Sequence, residues 1–344
     1  MFKRSSIKYL ASKILRRGYT YFIVILIVIF IISVSKYQNY RETLRINEGN
    51  LRDPSFITIQ YTLGRLGNQM GTYATLFGLA DLNNRTPYGF HYMMNYLRPY
   101  FRVTAGEIYD VPSYMKREYA LRTYLYPEDK HIPADRNFLG GYQFPYSYTF
   151  FHHARHKILK EFQFHDYITS YAFSILNSYK QKRPTALLIG VHVRRTDYCS
   201  WLRHYDGREI DLKYFEKAML YFKRKYHDVI FVVVSDDRTW CRKNLGHLPD
   251  VAIPPEPEKP IYDMATLALC NHTIITYGTF GFWSAYLAGG ETVYFADYLA
   301  PNSSFLLHHV PYNKTYLPNW IGISTTKPGY WNTFNYNKKT KFCP

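Results

Sequence analysis

Two runs in the second half of the chain limit its fold more than anything else: "ALLIGVHV" (Ala186–Val193) and "VIFVVVSDD" (Val229–Asp237). A strand with one face in water alternates apolar and polar residues, whereas an unbroken apolar run fits a strand covered on both faces. Such strands belong to parallel sheets sandwiched between helices, and the intervening segments read that way. Asp211–Tyr226 carries an amphipathic helical pattern with Asp211 as its N-cap, and Ile261–Cys270 is helical. Thr273–Thr276 is a strand, "YGTFG" opens a helix through about Leu287, and Thr292–Phe295 closes the series.

The first half repeats the theme. Phe56–Tyr61 ("FITIQY") reads as a strand, and "LGRLGNQMG" turns into a helix from Leu66 to about Leu82 with Met70, Tyr73, Phe77 and Ala80 on its apolar stripe. Residues 83–150 are rich in Tyr and Pro and give no clear pattern, while His152–Leu176 looks like one helix. The expected fold is α/β with a doubly wound parallel sheet in each half, divided at "KQKRP" (Lys180–Pro184) into domains at 55–183 and 184–344.

Ahead of these domains, residues 19–35 carry no charge and include "FIVILIVIFII" (Phe22–Ile32). As a helix, 17 residues reach about 26 Å, enough for a thin early-secretory membrane. Lys3, Arg4, Lys8, Lys13, Arg16 and Arg17 precede the run, which predicts a cytoplasmic tail at 1–18, a signal anchor at 19–35, a stem at 36–54 and a lumenal body. Cleavage at "SVS" (Ser33–Ser35) is the alternative, and the long basic leader argues against it. Of the four sequons, Asn302 and Asn313 lie in a polar, loop-rich tail and are the expected glycosylation sites. Cys199, Cys241, Cys270 and Cys343 lack metal-site spacing, so disulfides or buried free thiols are expected, with pairing open. The net charge is +17, but no Lys/Arg-dense helix or zinc-finger spacing accompanies it, which argues against a nucleic-acid partner.

In open parallel sheets ligands bind beyond the carboxyl ends of the strands. Four polar clusters fall at such ends: Gly64–Gln69, His192–Asp197, Ser235–Asp237 and Tyr277–Gly281. Guanidinium groups pair bidentately with phosphate oxygens, so Arg194 and Arg195 at a strand end suit a diphosphate. Alternation would turn Arg195 away from His192 and Arg194, so both can grip one anion only if the chain leaves strand geometry at Arg194. The alternative is a surface pair neutralised by Asp197 and its neighbours. Gly64 and Gly67 permit a tight turn before a helix N-terminus, and the Thr279 hydroxyl with nearby backbone N–H groups offers a second anion site, or a plain helix cap. Asp236 and Asp237 could accept from ribose or base, or cap a helix. His152 and His153 are candidates for acceptor binding or proton transfer, or helix-surface residues. The chain contains no DxD pair to chelate a metal–diphosphate, so no metal ligands are expected and arginines must neutralise the charge.

Five blocks, "GRLGNQMGTYATLFGLA", "YTFFHHARHKILKEFQFHDYI", "GVHVRRTDY", "VVVSDDRTWC" and "TYGTFGFWSAYLAGG", resemble in content and order those of the alpha-1,2-fucosyltransferases, type II Golgi membrane enzymes. "HVRRTD" is also similar to the arginine motif of alpha-1,6- and protein O-fucosyltransferases. The resemblance implies a GT-B fold, two Rossmann-like domains facing a cleft, with GDP-β-L-fucose as donor, no metal or other cofactor, and the 2-hydroxyl of a terminal β-galactoside on a glycan as acceptor. It implies that His192, Arg194 and Arg195 hold the diphosphate, that Asp236 contacts guanosine, and that Thr279, Phe280 and Gly281 line the nucleotide site. Gly64, Arg65, Gly67, Asn68 and Gln69 would face the cleft from the other domain. Inverting displacement would follow, with Asp197, His152 or His153 as base. The family's blocks mostly carry Gly at the place of Thr196 and Cys-Ser-Trp near Pro145–Tyr148, the second departure leaving the acceptor open. A transferase for another nucleotide sugar and a catalytically silent lumenal glycan-binding protein are the competing readings.

Overall fold

The computed structural model describes residues 51–326 except 142–144, 146, 300–302 and 304–311, together with Tyr21, 24–25, 27–38 and Gly49. The first sheet comprises β1 (Phe56–Ile59), β2 (Thr86–Phe90), β3 (Gly106–Ile108), β4 (Glu118–Ala120) and β5 (Phe138–Gly140), with α1 (Leu66–Leu82) following β1 and α2 (His91–Leu97) following β2. Its order is β3-β2-β1-β5-β4, and every pairing is parallel. Helices α3 (Arg155–Glu161) and α4 (Asp166–Lys180) lead to the second sheet.

The second half contains β6 (Leu187–Val193), α5 (Tyr198–His204), α6 (Leu212–Lys225), β7 (Val229–Ser235), α7 (Arg238–Asn244), β8 (Val251–Ala252) and α8 (Pro260–Ala268). It continues with β9 (His272–Ile275), α9 (Thr279–Ala288), β10 (Thr292–Phe295) and β11 (Ile321–Ile323). The sheet order is β11-β10-β9-β6-β7-β8, again parallel throughout. All seven residues of β7 are buried, as its unbroken apolar run requires. Each such Val, Ile or Phe contributes roughly 1.5–3 kcal/mol on leaving water. Gly190 lets α8 close on β6, since a Cβ there would stand 2.9 Å from Leu267 Cδ2. Asp211 caps α6 as the sequence suggests, accepting from the Tyr214 N–H at 3.1 Å.

Three readings need correction or completion. The segment His152–Leu176 is broken at Phe162–His165, where Phe162 and Phe164 turn inward and Phe164 pairs with Phe101 in an antiparallel bridge. The strand at Phe56 stops at Ile59, leaving Tyr61 outside it and 39% exposed. The unassigned stretch 83–150 supplies four of the five strands of the first sheet. Of the expected anchor at 19–35, Tyr21, 24–25 and 27–35 are among the described residues, and the tail before it lies outside them. Residues 27–38 are helical with Ile27, Phe30 and Ile31 exposed, and no described helix is long and apolar enough to cross a membrane. Cys199, Cys241 and Cys270 are free thiols, and Cys343 is not among the described residues. Asn313 is exposed, and Asn302 lies outside the description.

Candidate active site

Parallel strands deliver all their carboxyl ends to one edge of a sheet; three of the four polar clusters lie at that edge of the second sheet, and Gly64–Gln69 meets them from the first. Gly64, at φ +132°, makes the turn after β1 with a backbone that favours glycine. Arg65 then precedes α1, and Gly67 in its first turn lies against the first turn of α9. A Cβ on Gly67 would stand 2.7 Å from the Thr279 carbonyl carbon and 2.8 Å from the Phe280 nitrogen. Across the same contact the Thr279 hydroxyl donates to Asn68 Oδ1 at 2.7 Å. Two helix N-termini, each with unpaired N–H groups and a partial positive charge, are thus brought together. Gly278, not Thr279, is the N-cap of α9.

Charge of the same sign collects beside them. Strand β6 ends at Val193, so the chain leaves strand geometry at Arg194. The Arg194 backbone N–H donates to Thr276 Oγ1 at 3.2 Å, and its guanidinium reaches Asp197 through Nε at 3.0 Å and Nη2 at 2.7 Å. From the first sheet, Arg65 Nη2 reaches the other oxygen of Asp197 at 2.7 Å. Asp197 therefore sits between arginines from two sheets. The Arg65 side chain is 76% exposed and that of Asp197 42%, so their pair is worth about 0–1 kcal/mol and a stronger anion can displace it.

Arg195 does not join this pair. Its guanidinium lies 4.2 Å over the Trp240 ring, with Nε 3.4 Å from Asp237. The expectation that both arginines point at one anion is not met in this conformation, because cation–π stacking and Asp237 hold Arg195 on the other side of the strand end. Asp236 accepts from the Arg195 N–H at 2.9 Å and from the Thr196 hydroxyl at 2.7 Å, and so fixes the arginine loop. Asp237 caps α7 through the Trp240 N–H at 3.0 Å. Gln69 is buried and donates to the Thr62 carbonyl at 2.8 Å, so it staples the turn after β1.

His192 is 4% exposed, stacked on Phe280 with ring centres 5.5 Å apart, and close enough to Gly281 that a Cβ there would meet Nδ1 at 2.6 Å. Burial, with the charge of Arg194 adding to it, pushes its pKa down to about 3. In this conformation it is neutral and packs behind Arg194. The unfolded chain binds this proton below about pH 6.5 and the folded chain does not, so stability present above that pH is lost as pH falls toward 3. The expected loss is up to about 1.4 kcal/mol per pH unit, read from denaturant midpoints between pH 7 and 4. His192→Gln should flatten that acid limb, and an unchanged slope would show His192 protonated in the fold.

The histidine pair sits elsewhere. His152 Nδ1 is 3.3 Å from the Tyr286 hydroxyl, and His153 Nε2 is 3.0 Å from the Gly78 carbonyl oxygen. Tyr286 is seven residues beyond Thr279, roughly 10 Å along α9. A pocket of about 440 Å³ opens there among His152, Arg155, Tyr286 and Trp320, at the opposite end of α9 from the arginines. Sequence reasoning missed Thr276, which fixes the Arg194 backbone, and Trp240, which carries Arg195; Trp240 stands in the quoted "SDDRTWC" but had no role there.

Several known proteins are similar to this chain. Galactoside alpha-(1,2)-fucosyltransferase 2 of Bos taurus is 41% identical over 269 residues, spanning 76% of this chain and 77% of its own. Galactoside 2-alpha-L-fucosyltransferase SEC1 of Bos taurus is 40% identical over 269 residues, spanning 76% and 72%. Among solved structures, NodZ alpha-1,6-fucosyltransferase soaked with GDP-fucose aligns at 16% identity over 67% of this chain and 92% of its own, with a TM-score of 0.44, too low to carry an argument. The profile of glycosyl transferase family 11 matches residues 33–324, which takes in both sheets and every strand-end cluster: the chain belongs to glycosyl transferase family 11.

Proposed function

We propose that this chain transfers L-fucose from GDP-β-L-fucose to the 2-hydroxyl of a terminal β-galactoside, with inversion, on a GT-B arrangement of two Rossmann-like domains, 55–183 and 184–344. The observation that carries the reading is Asp197 held between Arg65 and Arg194 beside two helix N-termini. A small site with that much positive charge fits a diphosphate, and Asp197 occupies the arginines until one arrives. The names of relatives about 40% identical support the fucose and galactoside parts.

In this mechanism the acceptor hydroxyl attacks the anomeric carbon as the bond from that carbon to the β-phosphate oxygen of GDP breaks, and the hydroxyl proton passes to solvent as the new bond forms. Negative charge grows on the β-phosphate, where Arg194 and the N–H groups of α9 stabilise it without reorganising. Both Asp197 oxygens accept guanidinium N–H groups, so its role in this reading is to position arginines. Arginine charge takes the place of a divalent cation. The body would lie in the Golgi lumen behind an anchor at 19–35, in contact with the bilayer through that segment alone.

The test is transfer from radiolabelled GDP-fucose to an array of galactosides, with linkage analysis of the product. An α-fucosyl bond to the 2-hydroxyl, formed at full rate in EDTA, is the expected result. Transfer from a different nucleotide sugar, or GDP binding without turnover, would overturn it.

A further inference from the structure

We propose that Tyr61, His91, Tyr92 and Tyr109 form the acceptor subsite, an aromatic shelf on which the apolar face of a galactoside ring stacks; this rests on the transferase reading above. The shelf comes from the parallel register of the first sheet. Thr58 pairs with Tyr88, and Phe90 with Ile108. Past the strand ends ring contacts take over: Tyr61 meets Tyr92, Tyr92 lies edge-on to His91 with centres 6.2 Å apart, and His91 meets Tyr109. The rings are in contact: His91 stacks on Tyr109 with centres 4.4 Å apart, and Tyr61 lies 5.8 Å from Tyr92.

The row is open to solvent and firmly held. Tyr92 is 71% exposed, Tyr109 40% and Tyr61 39%. Single exposed aromatics are ordinary, but a contiguous row marks a binding surface. His91 Nδ1 is hydrogen-bonded to Glu107 Oε1 at 2.5 Å, and Arg98 pairs with the same carboxylate, so the ring at the centre of the row is held by a carboxylate that is itself anchored. Burial works to raise the Glu107 pKa, but hydrogen bonds from His91 and Arg98 outweigh it and keep the carboxylate ionised.

The shelf is continuous with the arginine cluster. Tyr61 stands four residues before Arg65, the residue that crosses to Asp197. Tyr96, from the same helix as Tyr92, lies within electrostatic reach of both Arg65 and Tyr61. The occupant follows from chemistry. The axial 4-hydroxyl of galactose leaves one ring face covered only by C–H groups, which suits an aromatic surface. Stacking on that face leaves the 2-hydroxyl free at the ring edge.

The experiment uses the full-length chain and methyl β-D-galactoside. Saturation-transfer NMR should show the sugar bound to the unsubstituted chain, with the signal lost in the Tyr61→Ala/Tyr92→Ala double variant. In transfer assays the same variant should raise the galactoside KM about tenfold or more, while Tyr92→Phe, which keeps the ring, stays close to the unsubstituted value. Retained GDP binding shows that the double variant folds, and Phe173→Ala, an exposed aromatic on α4, serves as the unchanged control. Equal NMR signal or equal galactoside KM in the double variant overturns the shelf. Shelf-dependent galactoside binding without fucose transfer supports the shelf and overturns the transferase reading instead.

Discussion

Arg194→Ala is expected to lower kcat/KM for fucosyl transfer by roughly 10²–10³-fold while the protein stays folded. Arg194 is the guanidinium of the tandem pair that lies on Asp197, and its backbone is pinned by Thr276. In the proposed mechanism, removing it takes away charge where the leaving diphosphate gathers it, in a partly buried site; the side chain is 19% exposed. The folding cost is small by comparison, because the pair with Asp197 is partly solvated. Arg194→Lys keeps the charge but loses the planar fork through which Nε and Nη2 both engage Asp197, so it should still lose about tenfold or more. Steady-state kinetics with GDP-fucose, beside a thermal melt, make the measurement. Unsubstituted kcat/KM in a folded Arg194→Ala protein would remove the arginine from the mechanism.

Gly67→Ala separates local from tertiary reasoning. Within a helix, alanine is favoured over glycine by about 1 kcal/mol, so α1 alone would gain. The Cβ, however, would stand 2.7 Å from the Thr279 carbonyl carbon and 2.8 Å from the Phe280 nitrogen. Those are backbone atoms of another helix and cannot rotate away, and overpacking of this kind costs roughly 1–3 kcal/mol. The tertiary term wins. The expected result is a net destabilisation of about 1–2 kcal/mol by denaturant titration. A fall of about a hundredfold in kcat/KM should accompany it, because parting α1 from α9 breaks the Asn68–Thr279 bond and draws Arg65 off Asp197. A variant as stable and active as its parent would mean that the two helix ends do not abut.

The β-strands of the second half were legible because strands covered on both faces leave unbroken apolar runs, and β6 and β7 are of that kind. The short strands of residues 83–150 were not. "EYA" (Glu118–Ala120) and "GEI" (Gly106–Ile108) are three-residue edge strands, partly in water, too brief to show a period. The segment His152–Leu176 kept a helical pattern through a real break, because Ile158 with Phe162 and Phe164 with Ile168 keep the four-residue spacing of a helix while all four fill the core.

The candidate site divides in the same manner. That His192–Asp197, Ser235–Asp237 and Tyr277–Gly281 share one sheet edge, with Gly64–Gln69 at the matching edge of the other sheet, follows from sequence, since parallel strands place every carboxyl end of a sheet on one side. So do the charges they carry and the absence of two aspartates spaced as DxD. What each side chain does past its strand end depends on neighbours remote in the chain. Trp240 and Asp237 take Arg195, Arg65 and Arg194 share Asp197, and Phe280 with Gly281 closes over His192. Tyr286 and Gly78 hold His152 and His153 at the far end of α9. Sequence determined which groups stand at the strand ends; packing decided which of them face one another, because the contacts between the two sheets, Arg65–Asp197 and Asn68–Thr279, join residues more than a hundred positions apart, where no local pattern reaches.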